Sequence, residues 1–111
     1  RAKDAQNTLQ SIAMEQKSYF SKHFCFYVTG TGDNAASINT GLFGSELGAD
    51  GPIPITNNQY SFEITGSSSG TCSGTNAVTF TAKATHKTDD TKIFSITDTL
   101  KKTDEYFKRG F

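Results

Sequence analysis

With 111 residues, 11 basic and 11 acidic side chains and a formal net charge of zero, the chain has room for one domain and no overall field to draw it onto nucleic acid or an anionic surface. Nine Phe and four Tyr, with no Trp, supply most of its bulky apolar area, so an aromatic core is expected. Nowhere does an apolar run reach the roughly 18 residues that a membrane span needs, and no segment reads as a signal peptide.

The first element is a helix, predicted over residues 1–26. Ala2, Ala5, Leu9, Ile12, Ala13, Gln16, Tyr19, Phe20, His23, Phe24 and Tyr27 fall, at about 100° per residue, within an arc of roughly 140°. The opposite side carries Lys3, Asp4, Asn7, Ser11, Glu15, Ser18 and Lys22, with Met14 as its only large apolar residue. Lys22 and His23 suit the negative end of the helix dipole, and the glycines of "VTGTGDN" stop the helical trend by Gly30.

Residues 28–58 read as a long helix-to-sheet loop, rich in glycine and holding both prolines, with a short helical turn near "TGLFGSELG". Leu42, Phe43, Leu47, Ile53 and Ile55 are available to pin it to the domain. From residue 59 to 98 the period becomes two. Tyr60, Phe62 and Ile64 form one apolar face, Val78, Phe80, Ala82 and Ala84 a second, and Phe94 with Ile96 a third, separated by the polar "GSSSGTCSGTN" and "THKTDDT". The tail, residues 99–111, is expected to be a loop or a short edge strand. The fold class that follows is α+β: a long amphipathic helix packed on a small antiparallel meander of three to four strands, in a single domain spanning 1–111. Its core should join Leu9, Ile12, Tyr19, Phe20 and Phe24 to the inward residues of the strands.

Cys25 and Cys72 lack the spacing of a CxxC or a structural zinc site, which leaves a disulfide or two free thiols. The Ser/Thr/Gly-rich composition of a small domain favours a disulfide. A metal site or a thiol–imidazole pair built from these cysteines with His23 and His86 is not expected, since both histidines stand at element edges. Asp89 and Asp90 read as turn formers between lysines, and "TGTGD" follows a helix and opens none, so it is a helix stop and no phosphate loop. No catalytic residue, metal or cofactor is predicted. Lys83, Lys87, Lys92, Lys101 and Lys102 are the candidates for DNA contact, against the plainer reading that lysines on exposed sheet edges discourage aggregation.

The helix "AQNTLQSIAMEQKSYFSKHFCFY", a variable loop, then "QYSFEITG" and "AVTFTAKAT", resembles the globular part of a bacterial type IV pilin. Ala5, Leu9, Ile12, Gln16, Tyr19 and Phe20 occupy that family's helix pattern. The cysteines depart from it: many pilins close a loop near the chain end, whereas Cys25 stands at the predicted helix end and Cys72 between the first two strands. The resemblance implies a short basic leader and about 25 apolar residues leading directly into the helix at Arg1. It also implies a structural subunit of a pilus or pilus-like filament serving motility, adhesion or uptake. Its partners would be other copies of itself or other pilins, with the inner membrane holding it before assembly and the cell surface after. Ala2, Ala5 and Met14 are the candidates for contact with a neighbouring subunit. The alternatives are a competence-type pilin that binds DNA and a type II secretion pseudopilin.

Overall fold

The computed structural model describes residues 2–44, 59–67, 70, 72, 74, 76–89, 91–104 and 111. It is an α+β fold. Helix α1 (Ala2–His23) leads into a short strand β1 (Phe26–Tyr27), a four-residue helix α2 (Ala35–Ile38) and a π-helical turn at Asn39–Gly44. Strands β2 (Tyr60–Thr65), β3 (Asn76–Ala77), β4 (Thr81–His86), β5 (Ile93–Thr97) and β6 (Lys102–Asp104) follow. All pairing is antiparallel: β2-β4-β5-β6 make one sheet, and β1 with β3 a second, two-stranded one. Among the described residues no helix is long and apolar enough to cross a membrane.

Cross-strand register explains where the helix lies. Phe62 pairs with Ala84 and Ala84 with Phe94, while Ile64 pairs with Ala82 and Ala82 with Ile96. Each row therefore runs large, small, large, and the two alanines of β4 leave a trough down the middle of the inner face. Helix α1 packs over β4 and β5. Ala5, Leu9, Ile12, Ala13 and Gln16 are all but fully buried there, and no Cβ branch on β4 holds the helix off.

The helix ends three residues earlier than expected. It ends at His23 because Phe24 turns into the left-handed region, φ 59°, and donates its amide to the Phe20 carbonyl at 2.7 Å. Leu100, the other non-glycine residue in that region among the described residues, closes the β5–β6 turn by donating to the Thr97 carbonyl at 2.8 Å. Ending α1 at residue 23 corrects two core assignments. Phe20 is left at the rim, 39 % exposed and stacked on Phe26, and Phe24 points to solvent.

Val78 is the third correction. The chain pairs with β1 through Asn76 and Ala77, bends at Val78–Thr79, and re-enters the main sheet at Thr81. That bend breaks the alternation, so Ala77 and Phe80 face inward while Val78 stands exposed. Gly66 lies where the bend crosses β2, and a Cβ there would run into the Thr79 carbonyl.

The loop is packed as expected, partly by β-like bonds. Thr29 and Gly30 donate to the Ile64 carbonyl at 2.8 and 3.0 Å, Asn34 donates to Phe62 O at 2.8 Å, and the Thr29 hydroxyl accepts from Ile64 N at 3.0 Å. The free edge of β2 is thereby covered. Ile38, Leu42 and Phe43 then bury themselves beside α1, whereas Leu47, Ile53 and Ile55 lie outside the described residues. The tail supplies the edge strand β6.

Phe80 is buried and meets Phe26 edge-on at 4.9 Å. Phe80→Ala should cost about 3–5 kcal/mol in denaturant unfolding, and a loss below about 1 kcal/mol would mean that the bend repacks around the cavity.

Candidate functional site

The best-built feature of the chain is the corner where α1 meets the small sheet. Gln16 is fully buried inside an otherwise apolar face. Its Nε2 donates to the Tyr27 carbonyl at 2.6 Å and its Oε1 accepts from Tyr27 N at 2.8 Å. A side-chain amide thus does for Tyr27 what a neighbouring strand would do, while β3 pairs along the other edge of β1. The Tyr19 hydroxyl donates to Asn76 Oδ1 at 2.8 Å, tying the same helix to β3.

The Tyr27 side chain extends the joint toward the π-helical turn. Its hydroxyl donates to the Ser37 carbonyl at 3.1 Å, and its ring lies so close over Gly41 that any Cβ there would collide with it. Burial pushes the Tyr27 phenol above its ordinary pKa. Tyr60 is raised too, chiefly by burial and then by Asp89 and Asp104.

One residue past the helix turn, Cys25 forms a disulfide with Cys72 across a sequence separation of 47, with Cα atoms 5.8 Å apart and both residues buried. The predicted pairing is present. It fastens the helix end to the connection between β2 and β3.

The other predicted residues are dispersed. Met14 stands 69 % exposed on the outward side of α1. Ala5 is fully buried in the chain's own core, so in this conformation it offers no area to a neighbour. Ala2 opens the helix, and its side chain lies outside the described residues. Of the lysines, Lys83 sits 3.9 Å from Glu63, whose other oxygen accepts from Gly32 N at 3.1 Å. Lys87 pairs with Asp33 at 3.3 Å and Lys92 with Asp89 at 4.0 Å. Lys83 is on the outer face of β4, whereas Lys102 is in register with the inward Ile96, and Lys101 stands exposed ahead of β6. The five do not share a face.

His86 is a turn cap: its Nδ1 accepts from Thr88 N at 3.3 Å and Asp89 N at 3.1 Å, and its ring meets Tyr60 edge-on at 5.0 Å. His23 lies against Tyr19, 4.2 Å between ring centroids. Asp89 accepts from the Thr91 hydroxyl at 2.6 Å and from Thr91 N, bonds that hold its carboxyl below the usual range, as a turn former should. Asp90 lies outside the described residues. Among the described residues, no three His, Cys, Asp or Glu side chains cluster as a metal site would require.

Sequence reading missed the pair of hydrogen bonds between Gln16 and Tyr27. The available sign was a lone amide in an apolar stripe. No protein-family model matches the chain, and no curated protein and no solved structure matches it significantly.

Three measurements probe this corner. Gln16→Met keeps the volume but orphans two buried backbone groups, so it should cost at least about 2 kcal/mol, with the loss of amide-exchange protection greatest at Tyr27. Reducing the disulfide should remove about 4 kcal/mol in the chain-entropy model for a loop of this length, and two alkylatable thiols in protein purified without reductant would refute the bond. Because Tyr27 and Tyr60 stay neutral in the folded chain where the unfolded phenols ionise, stability should hold below pH 10 and fall as pH rises above it. Absorbance titration should show the Tyr27 and Tyr60 phenols ionising late.

Proposed function

We propose that the chain is the folded part of a filament subunit of the type IV pilin kind, with α1 as the spine and the sheet and loops as outer surface. The observation that carries this reading is the one-sided anchoring of α1. From Ala5 to Tyr19 its inward face is buried by the domain, and its far end is locked by the Gln16–Tyr27 bonds and the disulfide. Its outward face is polar apart from Met14. A helix so fixed transmits force along its axis to the whole domain. That is what a subunit held in a filament through an upstream extension of the same helix requires.

Polymerisation is then the biochemical act. Before assembly the upstream apolar extension holds the subunit in the inner membrane, and afterwards the subunit stands in a surface filament. The DNA-contact reading gains less support, because three of the five candidate lysines are paired with carboxylates and the set is split between faces.

Two observations test the reading together. The sequence directly upstream of Arg1 should hold about 25 apolar residues behind a basic leader, and antibody raised against the folded chain should label surface filaments in electron micrographs. Upstream sequence without that stretch, or label confined to the cell interior, would overturn it. The 111-residue chain by itself should scatter light as a monomer at tens of micromolar, since the exposed large apolar side chains among the described residues are few and burial contributes only about 25 cal/mol per Å².

A further inference from the structure

His86 is the last residue of β4, and its ring closes the turn that follows. Nδ1 receives two backbone amides at once, Thr88 N at 3.3 Å and Asp89 N at 3.1 Å, with the Thr88 hydroxyl 3.2 Å away. Only a nitrogen without a proton can accept these bonds, so the neutral ring carries its hydrogen on Nε2. The backbone frames the same turn: His86 N donates to the Lys92 carbonyl at 3.0 Å, and Lys92 N to the Asp89 carbonyl at 3.0 Å. The connection from β4 to β5 is thus capped from its inside by one unprotonated imidazole nitrogen.

Asparagine caps turns of this kind with an amide oxygen that remains an acceptor at any ordinary pH. Imidazole is the side chain that ordinarily gains a proton between about pH 8 and 5, and a proton on Nδ1 turns the acceptor into a donor. Two amide donors then face a third. Thr88 Oγ1 is placed to take the new N–H, because a hydroxyl can rotate to donate or to accept. We infer that the β4–β5 turn is a proton-operated switch, closed by neutral His86 and opened when the protonated ring releases the Thr88 and Asp89 amides. This device stands independently of the filament reading.

The groups that face the ring from the neighbouring elements are Tyr60 of β2, Lys87 and Asp89 of the turn, Lys92 at its far side, and Asp104 of β6, which acts on Tyr60. Tyr60 is in register with His86 and meets its ring edge-on at 5.0 Å; burial, then Asp89 and Asp104, push its phenol up, away from the range in which an imidazole titrates. Asp89 lies 4.0 Å from Lys92, and its bonds from Thr91 hold its carboxyl below the usual range, so it stays ionised while the ring changes charge. Asp90 lies outside the described residues. The turn also sits where other segments are fastened. Lys87 N donates to the Gln59 carbonyl at 2.9 Å at the entry to β2, and the Lys87 ammonium pairs at 3.3 Å with Asp33 in the segment that covers that strand's edge.

Nuclear magnetic resonance of the whole chain tests the switch. Ring nitrogen shifts of His86 record when Nδ1 takes its proton, and amide exchange, referred at each pH to the unstructured rate, records whether Thr88 and Asp89 are still held. Between about pH 8 and 5 their protection should fall about 2- to 10-fold in step with the ring signal, the factor that one hydrogen bond of ordinary net strength represents. Protection at Ala82 and Ala84, in mid-strand, should stay level. His86→Asn keeps an acceptor oxygen near the place of Nδ1 and does not titrate, so in that chain the fall at Thr88 and Asp89 should disappear, whatever their absolute protection. Protection at Thr88 and Asp89 that stays level in the unaltered chain overturns the switch, whether or not the ring records a proton. So does a fall of the same size in His86→Asn, which assigns the change to another group, or a fall shared by Ala82 and Ala84, which is loss of the sheet and not of the turn.

Discussion

The two hydrogen bonds between the Gln16 side chain and the Tyr27 backbone hold the rest of the structure in place. Strand β1 is only two residues long and could not persist on one neighbouring strand alone. Gln16 supplies the missing second edge from within a helix. Because both partners are buried, the bonds form in surroundings where leaving either group unmade would cost about 1–3 kcal/mol each, which fixes the axial position of α1 against β1 within one residue. A helix held only by an apolar stripe could slide along the alanine trough; one that must present an amide to one peptide cannot.

Consequences of that fixed position run outward in both directions. Toward the loop, Tyr27 carries the constraint through its ring onto Gly41 and its hydroxyl onto Ser37, which places Ile38, Leu42 and Phe43 beside the helix. Toward the sheet, pairing of β1 with β3 forces the chain to bend before it can enter β4, and the bend selects Phe80 and rejects Val78 as core. The disulfide one step beyond Phe26 then limits how far this corner can open. Glu63, paired with Lys83 across the strands, accepts from Gly32 N, and Lys87 pairs with Asp33; these ties fasten the 29–34 segment over the same sheet, the exposed Lys87–Asp33 pair adding at most about 1 kcal/mol.

The elements that sequence reading recovered are those with long, uninterrupted periods. Twenty-two residues of helix and the alternating faces of β2, β4 and β5 each repeat one rule several times, so single exceptions do not hide them. Cys25 and Cys72 were readable by elimination, being the only two cysteines. Phe24, Phe20 and Val78 were misplaced for a common reason. Phe24 and Val78 sit at the points where the period breaks, the left-handed turn and the sheet-switching bend, and Phe20 lies in the last turn before the first of them; periodicity carries no information about its own end. The short strands β1 and β3 were invisible because their partners are a side chain and each other, far apart in sequence.

Gln16 poses a harder case, since it lay inside the apolar stripe and belonged to the helix pattern that prompted the pilin comparison. In the structure its replacement by a hydrophobe of equal size leaves two buried backbone groups of Tyr27 unsatisfied, so its chemistry, and not its place in the stripe, is what the fold uses. Phe24 inverts this: its hydrophobicity is unused by the fold while its backbone is indispensable to the turn. A left-handed non-glycine residue costs about 1–2 kcal/mol, a sizeable share of the stability of a domain this small. Buried amide and exposed phenyl stand at opposite ends of the same two helical turns. The first holds the helix to its own domain, and the second stands 75 % exposed past its end.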